Sequence, residues 1–365
     1  MDYTLPQLLM TLMDQKGSDL HIASGSPPRI RIDGQLIPLN LPPLQPQETQ
    51  ELCYSILTED QKKTFEQKKE IDLAFTIKGI ARFRTNVFLE RATVAGAFRI
   101  IPDRILTLEE LSLPAVTLEL CNLPRGLVLI TGPTGSGKST TLAAMLNYIN
   151  ETRYDHIVTI EDPVEFIHQH KCCVVNQREI GDDTDSFTRA LKSVLRQDPD
   201  VVMIGELRDL ETVSAALTIA ETGHLVFGTL HTNSCVSTLN RIIDVFPPHQ
   251  QNQIRNQLSM TIEAVFSQML LPANGGGRVL SLEIMRANAA VRALIHEGKF
   301  NQIYSAMQSG QQETSMQTMN QALFKLFSAG HVTKELALAK SSSKDELIDM
   351  MNKRSVTSHA KTGRN

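Results

Sequence analysis

No apolar stretch in the sequence approaches the roughly 20 residues that a membrane-spanning helix needs. The opening residues Met1-Asp2-Tyr3-Thr4 also lack the charged-then-apolar layout of a secretory signal. Any membrane association is therefore expected to run through partners. The five cysteines, Cys53, Cys121, Cys172, Cys173 and Cys235, are odd in number and show no C-x-x-C spacing. That argues against a disulfide framework and a zinc site, and for a reducing compartment. There is no basic excess either: 36 Lys+Arg stand against 40 Asp+Glu, a net charge of −4. Electrostatically driven binding of nucleic acid is not expected from that balance. Nor is there an internal repeat at solenoid spacing.

At 365 residues, 41% of them hydrophobic, the chain is long enough for two domains with proper cores. One stretch organises it. Gly132-Pro133-Thr134-Gly135-Ser136-Gly137-Lys138-Ser139, followed by Thr140, fits the phosphate-cradling pattern G-x-x-x-x-G-K-[ST]. The apolar run 126–131 precedes it and the helix-forming run 140–146 follows, so strand, glycine loop and helix succeed one another. Glycines let backbone N–H groups turn onto a concave anion site, to which the helix start adds its positive dipole end. Lys138 is expected to reach the β- and γ-phosphates of ATP, and Ser139 to hold Mg²⁺ through its hydroxyl.

Ahead of this core, residues 1–100 read as a small α+β domain. Leu5, Leu8, Leu9 and Leu12 recur at helical spacing, and Ser18 to Ile22 is strand-like. Asp33-Gly34 is a two-residue hairpin turn between strands, and a polar helix is expected from about Gln47 to Lys69. Further strands fall at Ile71–Phe75, Ala81–Phe88 and Val94–Ile101. Arg82, Arg84, Arg91 and Arg99 lie on or beside them. Such arginines form a solvated face or, since a planar guanidinium suits phosphate, reach a neighbouring subunit's nucleotide. Residues 101–111 form a short linker.

Residues 112–345 alternate strands with helices, which implies a parallel sheet covered on both faces. Ligands in such sheets gather at the carboxyl ends of the strands. The strand at His156–Ile160 ends in Glu161-Asp162-Pro163-Val164-Glu165, whose acids suit Mg²⁺ or water. A second strand delivers Glu206, the expected catalytic carboxylate; Gly205-Glu206 stands where a strand-end aspartate is usual. A third runs from His224 to Thr232, and His231 at its far end is placed to sense the γ-phosphate. His224 reads equally as structural or functional, and His168-Gln169-His170 as surface. Ser234 caps a helix to Val245, a long helix is expected from about Gln250 to Leu270, and a strand at Arg278–Met285. The rest is helical, broken at Gly298, Gly310 and Gly330, and the tail 346–365 frays after a short helical piece.

The glycine loop, Thr159–Phe166, Gly205–Asp209 and Thr222–Thr232 together resemble the Walker A, Asp, Walker B and His boxes of the secretion-superfamily ATPases. The likeness covers nearly the whole chain. Residues Ala290 to Glu297 resemble the short C-terminal motif of the pilus-retraction branch, with Ala293 and His296 departing from the expected asparagine and arginine. The resemblance implies an α/β fold, a RecA-like P-loop ATPase core behind a PAS-like N-terminal domain. It implies a cytoplasmic homo-hexamer that hydrolyses ATP to retract type IV pili, acting with an inner-membrane platform protein and a paralogous retraction ATPase. Lys138, Ser139, Glu161, Glu165, Glu206 and His231 then belong to the ATP site. Arg208 and the arginines Arg82, Arg84 and Arg99 are candidates for interface contacts. Ala290, Val291, Arg292, Leu294, Ile295 and Glu297 form a candidate partner motif, in which Val291, Leu294 and Ile295 make an apolar stripe that core packing also explains. The extra N-terminal domain and four-cysteine site of pilus-extension and type II secretion relatives have no counterpart here. An extension or secretion motor is accordingly the second reading. A RecA-like nucleic-acid translocase sits poorly with the acidic balance, and a scaffold that binds ATP without turnover sits poorly with Glu206.

Overall fold

The computed structural model describes residues 3–32, 34–77, 80–101, 104–309 and 314–362, with side chains to residue 353. Asp33, Gly310 and part of the expected linker lie outside the described residues. The chain divides into two compact units, Met1–Arg104 with Pro163–Ile167, and Ile105–Asp162 with His168–Asn365.

The first unit carries helix α1 (Leu5–Asp14), strands β1 (Asp19–Ile22), β2 (Arg29–Ile32) and β3 (Gln35–Pro38), helices α2 (Pro46–Tyr54) and α3 (Glu59–Lys68), and strands β4 (Glu70–Ile77), β5 (Ala81–Glu90) and β6 (Thr93–Ile101). The strands form one antiparallel sheet in the order β3-β2-β1-β6-β5-β4. All four leucines of the α1 stripe are buried, joined in the core by Leu20, Phe65, Phe83 and Phe98. The single helix expected over 47–69 is two helices. Thr58 starts the second by accepting the Gln61 backbone N–H while the Gln61 side chain accepts the Thr58 N–H in return. A capping box of this kind stops one helix and opens the next.

The second unit holds a seven-stranded sheet, β13-β12-β7-β11-β10-β8-β9, parallel throughout except for β13. Its strands are β7 (Gly126–Thr131), β8 (His156–Glu161), β9 (Val174–Glu179), β10 (Val201–Ile204), β11 (Leu225–Leu230), β12 (Ile262–Pro272) and β13 (Arg278–Arg286). Side chains alternate across the sheet. Leu127 and Leu129 of β7, Val202 and Ile204 of β10 enter one core, whereas Val128, Ile130, Val201 and Met203 enter the core on the other face. Helices α4 (Val116–Cys121) and α5 (Lys138–Thr152) cover the second face. The first is covered by α6 (Phe187–Val194), α7 (Leu210–Glu221), α8 (Cys235–Asp244), α9 (Pro248–Thr261), α10 (Ala289–His296) and α11 (Ile303–Gln308).

Two expectations fail here. The long helix of residues 250–270 ends at Thr261, and Ile262 to Pro272 is strand β12, paired with β7 on one side and β13 on the other. A run buried on both faces carries no period that separates strand from helix, and the sheet decides. His168, expected on the surface, is only 8% exposed, and its backbone N–H donates to Gln177 Oε1 at 2.8 Å. Burial, reinforced by the nearby Lys171 ammonium, pushes its imidazole down to about 4. Helices α12 (Met319–Ser328), α13 (Lys334–Lys340) and α14 (Lys344–Thr362) close the chain. Met319, Leu323, Val332, Ala337 and Leu347 pack there with Leu271 from the end of β12. The last helix runs further than the short piece expected at Asp345–Met351.

Candidate nucleotide site

Strands β7, β11, β10 and β8 lie side by side and parallel, so the residues after their last pairs share one edge of the sheet. Those residues are Gly132, His231, Gly205-Glu206 and Glu161. The fold therefore brings together four of the sequence's candidate groups at the carboxyl edge.

The glycine loop leaves β7 at Gly132, whose φ is +140°; Gly135 and Gly137 adopt φ of +78° and +87°. A Cβ on Gly132 would lie 2.3 Å from the backbone oxygen of Gln268, so only glycine fits. Gly137 is the N-cap of α5 and offers no side-chain cap, which leaves the first-turn N–H groups of that helix facing the loop. Lys138 Nζ donates to the carbonyls of Gly132 at 2.8 Å and Pro133 at 3.2 Å, so the ammonium is drawn over the mouth of the loop. Ser139 and Thr140 occupy the first turn of α5. Ser136 Oγ is buried with no hydrogen-bond partner among the described residues. A cradle of left-handed glycines, an uncapped helix start and a lysine suit a polyphosphate.

Glu206 is held from both sides. Gly205 donates its N–H to Ile160 O at 2.8 Å, the Leu207 N–H donates to Thr229 O at 2.9 Å, and Thr229 Oγ1 donates to Gly205 O at 2.5 Å. A Cβ at Gly205 would meet the Ile160 oxygen at 3.2 Å and Glu161 Cα at 3.3 Å, so any side chain there would press on the end of β8. The Glu206 carboxylate lies 2.7 Å from Arg208 Nη2 and 3.5 Å from His231 Nε2. Glu161 is buried at the end of β8, where its Oε1 accepts from Thr159 Oγ1 at 2.6 Å and Gln177 Nε2 at 3.2 Å. No group of three or more His, Cys, Asp or Glu side chains able to hold a metal occurs among the described residues. Glu165 is exposed and falls in the Pro163–Ile167 segment grouped with the first unit. His224 bonds within its own turn: its Nδ1 lies 3.0 Å from Ile219 O and 3.1 Å from Thr222 Oγ1.

In the first unit, Arg84 on β5 faces Arg99 on β6 directly across the sheet. Arg99 Nε reaches Asp19 Oδ1 at 2.8 Å, and Arg31 Nε lies 3.6 Å from Asp19 Oδ2. Burial alone would raise the Asp19 carboxyl, but hydrogen bonds from Ser18 and Arg99 bring it below its ordinary value. One carboxylate thus serves two guanidiniums, those of Arg99 and Arg31. Arg82 shares the face of Arg84, two residues along β5.

The candidate partner motif occupies α10. Val291 and Ile295 are fully buried, Leu294 packs at the core's margin, and Ala290, Ala293, His296 and Glu297 are exposed. Arg292 ties down the end of α9. Its guanidinium bonds Ser259 O at 2.9 Å, Met260 O at 3.1 Å and Glu263 Oε1 at 2.8 Å. The last carbonyls of a helix attract just such a cation.

Sequence reasoning missed Gln268, Gln177 and Thr229. Gln268 had a signal, a lone amide inside the apolar run Ala264-Val265-Phe266-Ser267-Gln268-Met269-Leu270.

The model of the type II/IV secretion system protein family matches residues 2–337. The chain belongs to that family. It is 50% identical over 340 residues to the type IV pilus retractation ATPase PilT of Pseudomonas aeruginosa, a match covering 93% of this chain and 98% of that protein. It is 47% identical over 346 residues to a twitching motility protein of Neisseria gonorrhoeae, covering 94% and 92% of the two chains. Among solved structures, the pilus retraction motor PilT with bound ADP superposes with a TM-score of 0.90 at 48% identity, covering 94% of this chain and 99% of that one. The fold of this family member is accordingly the α/β P-loop architecture read from the sequence. No described helix is long and apolar enough to cross a membrane.

Proposed function

We propose that this chain is a motor subunit that hydrolyses ATP to power retraction of type IV pili. The observation that carries the reading is Glu206, fixed at the same carboxyl edge of the sheet as the glycine loop, in a chain alike over 93% of its length to a pilus retraction ATPase. The loop's N–H groups and Lys138 bind the phosphates, and Glu206 aligns and deprotonates the attacking water. Mg²⁺ would be held by the Ser139 hydroxyl and the Glu161 carboxylate together with phosphate oxygens, and would neutralise phosphate charge. A site without a dedicated carboxylate cage suits a metal that arrives with its nucleotide.

His231, in line with the loop and 3.5 Å from Glu206, reports the γ-phosphate to the carboxylate. Arg208 exchanges Glu206 for an anion at the subunit boundary, a change that an ion pair 57% exposed on the arginine side permits at small cost.

The subunits form a homo-hexamer, and Arg82, Arg84 and Arg99 reach a neighbour's nucleotide. The exposed face of α10 meets the membrane platform protein, and a paralogous ATPase acts beside the ring. The test is the pilus phenotype of cells whose only copy carries Glu206→Gln, measured beside ATP turnover of the purified variant. Lost turnover with excess, unretracted pili supports the reading. Lost turnover with bald cells would assign the motor to pilus extension.

A further inference from the structure

Strand β12 pairs with β7 as far as Ser267↔Thr131, so Gln268 and Gly132 are the next residues on each strand, at the point where the glycine loop leaves the sheet. Gln268 is 1% exposed, and its Nε2 donates to Ser136 O at 2.7 Å. Its backbone oxygen is the atom that a Cβ on Gly132 would strike at 2.3 Å, and a Cβ on Gly137 would lie 3.4 Å from its Nε2. Three loop residues, Gly132, Ser136 and Gly137, are thus folded around one residue from a strand far away in sequence.

We propose that Gln268 is a positioning residue for phosphate binding, holding the Ser136 carbonyl away from the anion so that the loop's N–H groups face it. The effect is electrostatic. A peptide whose carbonyl turns toward a phosphate presents an oxygen to an anion and removes the matching N–H from the cradle. Ser136 lies between the two left-handed glycines Gly135 and Gly137, so its flanking peptide planes have the freedom to rotate, and the loop's own backbone does not prevent it. The carboxamide of Gln268 does prevent it, because the Ser136 carbonyl would give up a buried hydrogen bond to turn. Gln268 therefore acts through the loop rather than by touching ATP. The proposal rests on the reading of this loop as a nucleotide site.

The test compares wild type with Gln268→Leu and Gln268→Met, which remove the amide while filling the space. Thermal unfolding, binding of a fluorescent ADP analogue with Mg²⁺, competition by inorganic triphosphate, and the KM and kcat for ATP are measured on each. The expected result is a folded variant whose affinities for ADP and for triphosphate both fall about tenfold, with a parallel rise in KM and a smaller change in kcat, as loss of one buried hydrogen bond to the loop predicts. Loss of ADP affinity with triphosphate competition unchanged would place the effect away from the phosphates and overturn the proposal. So would wild-type affinities in either folded variant. Failure of both variants to fold would make Gln268 a core residue and overturn it equally. Wild type that binds neither ADP nor triphosphate would instead sink the nucleotide-site reading itself.

Discussion

Glu206 Oε2 sits 2.7 Å from Arg208 Nη2, two residues along the chain, while the opposite oxygen faces His231 Nε2 at 3.5 Å. The carboxylate is thus held between two cationic or proton-bearing groups at the rim of the sheet, anchored by the Thr229 and Ile160 bonds to the backbone on either side of it. Glu206→Gln keeps the shape and removes the base. Turnover is expected to fall by about 10²- to 10⁴-fold with nucleotide affinity near normal. Steady-state hydrolysis beside ADP-analogue binding checks it; near-normal turnover would show that a different group handles the water.

The glycine loop makes a graded prediction. Gly132→Ala puts a Cβ 2.3 Å from the Gln268 backbone oxygen, an atom fixed in the sheet, whereas Gly135 has open space around it and only its φ of +78° to resist a side chain. Gly132→Ala should therefore abolish nucleotide binding, and Gly135→Ala should weaken it by a few-fold, since a left-handed alanine costs about 1 kcal/mol. Equilibrium binding of the same ADP analogue to both variants separates them; equal losses would show that strain rather than collision governs the loop.

The α10 motif divides by burial. Ile295→Ala removes a fully buried side chain from the core and should cost about 2–5 kcal/mol of stability. Arg292→Ala strips two carbonyls at the α9 terminus and Glu263 of their partner, for about 1–3 kcal/mol. Ala293→Asp and Glu297→Lys, on the exposed side, should leave the melting temperature and ATP turnover intact while stopping retraction. Melting curves, turnover and twitching on the four variants decide the matter, and retraction by both surface variants would remove α10 from the partner interface.

Local chemistry made the strand, loop and helix around Lys138 readable, because glycine spacing and an apolar run specify that geometry without reference to distant residues. Glu206 was equally legible as the first acid beyond a buried strand. Gln268 was hidden by its own strand: from Ile262 onward the run is buried on both faces, has no period, and continues the helix before it without a glycine or proline to mark the change. Strand β9, which supplies Gln177 to Glu161, went unseen because four of the six residues Val174-Val175-Asn176-Gln177-Arg178-Glu179 are polar. A polar edge strand draws its place from pairing with β8 rather than from its composition. His168 went with it, since its backbone bond is to Gln177 on that same strand.

That histidine sets an acid limit on stability. His168 is buried, and its pKa in the folded chain is about 4 against 6.5 for the ordinary imidazole. Between those values the unfolded chain binds the proton and the folded chain does not. Folding stability therefore rises with pH across this window and is lost as pH falls from about 6.5 toward 4, where both states become protonated. The gap between 6.5 and about 4 corresponds to about 3 kcal/mol at full effect. His168→Gln, which does not titrate, should flatten the decline in denaturant midpoint between about pH 7 and pH 5 without changing ATP turnover at neutral pH. Denaturation of both proteins across that range is the measurement, and parallel pH profiles would place the acid-sensitive group elsewhere in the chain.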